Sequence, residues 1–143
     1  MRSRPPRPWS FGPLLLLACA KPPDIAGDIE SYSDSRTDAN VLSCDCPQLL
    51  GFADSIQCDE ALGPIGTTAR QCFAMVLDGH EDAAQEYLEC ATAAYGVYVN
   101  CLETSVSCEQ DIYDGCTADH QGALASCPQL PASVQSMFES CVD

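Results

Sequence analysis

Three kinds of side chain in this sequence could carry chemistry: eleven cysteines, two histidines and a cluster of tyrosines. Cys44-Asp45-Cys46 has the spacing of a dithiol able to exchange disulfides, its reactivity set by how readily a thiol ionises. Asp45 and the acidic residues upstream of it work against thiolate formation. Two half-cystines with separate partners is therefore the expectation, and a thiol-disulfide redox protein using Cys44 and Cys46 the alternative. His80 sits in Asp78-Gly79-His80-Glu81, a turn signal, and is expected in solvent. His120 lies one helical turn after Cys116, on the face that carries Leu124 and Cys127. It is expected to be partly buried and hydrogen-bonded. With Tyr95 and Tyr98 it could also line a pocket for a small apolar ligand, which would make the chain a carrier.

Nothing else in the sequence points to a reaction. The chain has no Gly-rich phosphate loop and no GxSxG, HExxH or CxxCH stretch. There is no CxxC pair to hold a metal, and only two histidines could assist. No enzymatic activity, cofactor or metal is expected. Formal charge is −15, and it is unevenly placed. Only Lys21, Arg36 and Arg70 follow position 18, against all 21 carboxylates, so that part carries 3 − 21 = −18. Such a surface repels phosphate backbones, which excludes nucleic acid as a partner.

Eleven cysteines in a chain of this length form a disulfide-scaffold composition, the signature of an oxidising compartment. The N-terminus agrees. Arg2, Arg4 and Arg7 precede a short apolar run that ends in small residues, the layout of a secretory signal over residues 1–18. Leu16-Leu17-Ala18-Cys19 closes that run. These four residues resemble the lipobox of bacterial lipoprotein precursors, a likeness confined to residues 1–20. The resemblance implies cleavage before Cys19, acylation of its thiol and new amino end, and a palmitate-type membrane anchor. Ala20 after the cysteine implies the outer membrane of the cell envelope. Cleavage before Lys21, after Ala18-Cys19-Ala20, would instead give a secreted, soluble protein. Either cut leaves ten cysteines, an even number.

The elements that must position these groups can be read from pattern. Residues 19–43 mix Pro, Gly, Ser and Asp with few large apolar groups and are expected to form an acidic, disordered linker. As a flexible coil of about 24 residues it would span roughly 25–30 Å. The cysteine-rich domain is expected over 44–143, all-α, with helices near 48–62, 67–78, 81–104, 109–126 and 131–142. The helix over 81–104 is apolar round most of its girth and is expected at the centre of a small disulfide-stapled bundle.

Cys90 and Cys101 are eleven residues apart, as are Cys116 and Cys127. Eleven residues is close to three turns, so each pair lies along one face. On antiparallel neighbours that spacing predicts two rungs, Cys101–Cys116 and Cys90–Cys127, and it resembles the twin-cysteine helical hairpins of other oxidised proteins. Cys108–Cys141 is expected from the last helix returning toward the start of the fourth. Cys44, Cys46, Cys58 and Cys72 have no assignable partners. The function expected from all this is a non-catalytic envelope module that binds another envelope protein or plays a structural part.

Overall fold

The structure is a computed structural model that describes residues 21–104 and 107–142. Among these residues there are six α-helices: α1 (Ala26–Ser43), α2 (Ser55–Leu62), α3 (Thr67–Leu77), α4 (Glu81–Glu103), α5 (Gln110–Ser126) and α6 (Ala132–Glu139). Short 3-10 turns cover Pro47–Leu50 and Ser140–Val142, and no strand occurs among the described residues. The expected signal segment, residues 1–18, and Cys19 lie outside the described residues.

The all-α, disulfide-stapled bundle is observed, with two corrections to its elements. The first concerns the expected disordered linker. Residues 26–43 form α1, a helix laid along α4. Ile25, Ile29, Tyr32, Ala39 and Ser43 are all buried, and their spacings of three, four and seven place them on one face. Only three of the five are large. Ser33 (fully buried) and Ala39 are small, and α4, along which α1 packs, buries the small Ala91 and Ala94. The Ser33 hydroxyl donates to the Ile29 carbonyl at 2.7 Å, so the buried polar group is satisfied within its own helix.

The second correction splits the expected helix over 48–62. Gly51 takes φ +83 and ends the first 3-10 turn, a left-handed conformation that glycine adopts without steric cost. Asp54 then restarts the chain as α2, its side chain accepting from the Gln57 N–H at 2.9 Å.

Helix α4 spans the molecule and serves two cores. One gathers Tyr32 of α1, Phe73 and Leu77 of α3, Leu88 of α4 and Phe138 of α6. The other gathers Ala39 of α1, Tyr98 and Leu102 of α4, and Tyr113 and Cys116 of α5. Val97 of α4 is 67% exposed.

Five bridges tie these helices together. Cys101–Cys116 and Cys90–Cys127 join α4 to α5 and to its C-terminus, the two rungs of the ladder. Cys44–Cys58 joins the end of α1 to α2, and Cys46–Cys108 joins the following turn to the entrance of α5. Cys72–Cys141 joins α3 to the C-terminal 3-10 turn. The expected Cys108–Cys141 bridge is therefore corrected. Helix α6 does return, but along α3, where Phe138 stacks on Phe73 at 4.4 Å between ring centroids. That carries Cys141 to Cys72. The start of α5 lies instead beside the end of α1 and meets Cys46.

Candidate functional site

Tyr95 and Tyr98 project from α4 and His120 from α5, and the structure brings all three together. The Cys101–Cys116 bridge, one turn from His120, holds the two helices in register. The imidazole lies 4.5 Å from both tyrosine rings between centroids, nearly parallel to Tyr98 at 12° and tilted to Tyr95 at 53°. Its Nδ1 is 3.3 Å from the Ala94 carbonyl oxygen, so an Nδ1–H tautomer donates there. The Tyr98 and Thr117 hydroxyls are 3.4 Å apart and close the same seam.

The rings continue inward. Tyr95 meets Tyr32 edge-on at 5.7 Å, and Tyr32 meets Phe73 at 5.7 Å and Phe138 at 5.4 Å. Tyr87 reaches Phe138 edge-on at 5.7 Å. Arg36 Nη1 donates to the Tyr32 hydroxyl at 3.2 Å. One aromatic chain thus connects α5 to α6 through α4, α1 and α3. Tyr32 and Arg36 were not expected in it, because they fall in the stretch that reads as a linker. The usable signal was the run Ile25, Ile29, Tyr32 at helical spacing.

The chemistry open to this arrangement is narrow. Burial pushes the Tyr32 phenol up to about 12, with the neighbouring Arg36 opposing the rise. Burial likewise raises Tyr87 and Tyr95, and lifts Tyr113 to about 12 with help from its bond to Tyr98. Burial also lowers His120, only partly offset by the Ala94 carbonyl. Near neutral pH the set is therefore a group of protonated phenols around an uncharged imidazole. The rings contact one another across the seam between α4 and α5.

His120 yields a pH prediction. Its folded-state pKa lies below its unfolded value, so its share of stability is complete above about pH 6.5. That share is lost as pH falls from there toward the lower folded value. The stability advantage of the wild type over His120→Gln should shrink between about pH 7.5 and 5, read by urea unfolding at each pH. A difference that stays constant across that range would show that the imidazole does not titrate differently in the folded chain.

The other expected site residues are placed as follows. His80 is exposed, in the turn before α4. Cys44 and Cys46 are bonded to Cys58 and Cys108, so no Cys44–Cys46 disulfide exists for a redox cycle. All ten described cysteines are half-cystines. Among the described residues no group of His, Cys, Asp and Glu is arranged to hold a metal ion. Compared with protein-family models, with curated proteins and with solved structures, the chain matches none.

Proposed function

We propose that this chain is a non-catalytic, lipid-anchored module of a bacterial cell envelope, attached through acylated Cys19 and acting by contact with another envelope protein. The observation that carries this reading is the cysteine arithmetic. Five bridges join all ten cysteines after position 19 to one another, which leaves the lipobox-like cysteine as the one assigned to other chemistry. The bridges place the folded chain in an oxidising, extracytoplasmic compartment. No described helix is long and apolar enough to cross a membrane, so attachment would rest on the acyl chains. Two or three such chains give stable anchoring where one does not. The aromatic seam and its protonated phenols support a role without turnover.

The test is the intact mass of the protein from its native host, extracted with and without detergent and alkylated before and after reduction. The expected species begins at Cys19, carries acyl mass, requires detergent, and shows ten alkylatable thiols only after reduction. A chain that begins at Lys21 without added mass would make the protein secreted and soluble, and would overturn the anchor.

A further inference from the structure

Away from the aromatic seam, three clefts border the C-terminal half of α1. A cleft of about 290 Å³ lies between Val41 and the Gly63–Pro64 turn. A second, of about 280 Å³, lies between Val41, Leu42 and Val99. A third, of about 410 Å³, runs from Leu42 past Leu102 and Tyr113 to the Cys46–Cys108 bridge. Val41 lines the first two, and Leu42 and Glu103 line the last two. The second and third adjoin along Leu42 and Glu103 as one groove on the α4 side of α1, lined by Leu42, Val99, Leu102 and Tyr113, while Val41, 53% exposed, stands between the first cleft and the second.

The rim has the opposite character. Asp38, Asp45 and Glu103 line it, and all three are exposed. Among the described residues no lysine, arginine or histidine lines any of the three clefts. Both guanidiniums of the folded domain are engaged elsewhere, Arg70 with Asp34 at 2.6 Å and Arg36 with the Tyr32 hydroxyl. Apolar surface in water is unfavourable, and like charges around it repel one another. An occupant that supplies both apolar side chains and cations relieves both at once. A second copy of this chain would bring only more negative charge. The groove is also fixed in advance. The Cys46–Cys108 bridge lines one end of it and ties the turn after α1 to the entrance of α5. A preformed groove loses little conformational freedom when filled.

We propose that this groove docks a cationic amphipathic segment of another protein, one in which large apolar side chains are flanked by Lys or Arg. The proposal rests on the reading of the chain as an interaction module and names the class of its partner. Shape and charge both enter: apolar anchors seat on Val41, Leu42 and Val99, and the flanking cations face the rim carboxylates.

The test uses the isolated protein with its bridges intact and a synthetic Leu/Lys amphipathic peptide of about five helical turns. A Leu/Glu peptide of equal length serves as the counterpart. Val41→Arg and Met75→Arg change the charge equally, and both sites are exposed, Met75 on α3 at 73%. Circular dichroism of each variant checks that the fold is kept. The Leu/Lys peptide should bind, more weakly as salt rises. Val41→Arg should weaken it by at least about tenfold and Met75→Arg by less than about twofold. Equal losses in the two variants would mean that net charge alone draws the peptide, and would overturn the groove. So would failure of the Leu/Lys peptide to bind, or equal binding of the Leu/Glu peptide. A dimer that Val41→Arg dissociates would give the groove to a second copy and overturn the cationic partner. The mass of the native protein is read independently, so an acylated Cys19 with no peptide binding sinks the groove and leaves the anchor standing.

Discussion

Tyr32→Ala is expected to destabilise the fold by about 3–5 kcal/mol, the range for removing a large aromatic side chain from a core. The residue is 3% exposed and lies between Phe73, Tyr95 and Phe138, with centroid separations of 5.4 to 5.7 Å. Alanine would leave a void bounded by α1, α3, α4 and α6, and the edge-to-face contacts would be lost with the ring. Tyr32→Phe isolates the hydroxyl. It keeps the packing but removes the acceptor for Arg36, at about 1 kcal/mol. Urea unfolding with the bridges intact measures both. An exposed position in a flexible tether would give changes within about 0.5 kcal/mol. An alanine effect that small would mean α1 does not pack as described and would restore the linker over residues 19–43.

Full reduction of the bridges is expected to unfold the domain. The bridges close loops of 14, 62, 69, 37 and 15 residues. Loop-closure entropy assigns about 3 kcal/mol to the shortest and about 4 to the longest. Overlapping loops make these contributions less than additive. Even so, their combined size is comparable to the whole stability of a typical domain, about 5–15 kcal/mol. Reductant at neutral pH should therefore abolish most of the helical circular dichroism as thiols become alkylatable. Paired alanine substitution should rank the bridges, with Cys72/Cys141 more damaging than Cys101/Cys116. Retention of the full helical signal after all ten thiols have been alkylated would show that the apolar cores suffice without the bridges.

Much of this fold is legible in the sequence, and the reason differs from element to element. Helices α3, α4 and α5 begin and end within a residue or two of where periodicity and the Gly79 stop place them. The two rungs between α4 and α5 follow from a spacing of three helical turns, a purely local quantity. The partners of Cys44, Cys46, Cys58, Cys72, Cys108 and Cys141 depend on where the chain turns between helices, and no spacing encodes that. Cys108 shows the limit: its distance along the sequence from Cys141 says nothing of α6 lying on α3. Helix α1 is hidden for another reason. Its buried face includes Ser33, Ala39 and Ser43, so a seam built for close approach has the composition of a linker. His120 is legible as a half-buried residue bonded to a neighbour, because Cys116 fixes the face of α5. The ring chain through Tyr32 becomes visible only once α1 is known to be a helix.

The start of α1 at Ala26 has a consequence for reach. In the proposed anchored form only residues 20–24 separate Cys19 from the buried Ile25, a leash of at most about 20 Å when fully extended. The domain would patrol a shallow layer above the lipid surface instead of sweeping the volume a coil of about 24 residues allows. A partner fixed in the same membrane would then meet it in two dimensions, at an effective concentration well above what free diffusion provides. A weak contact with such a neighbour could be occupied most of the time, whereas the same contact with a soluble protein would be fleeting.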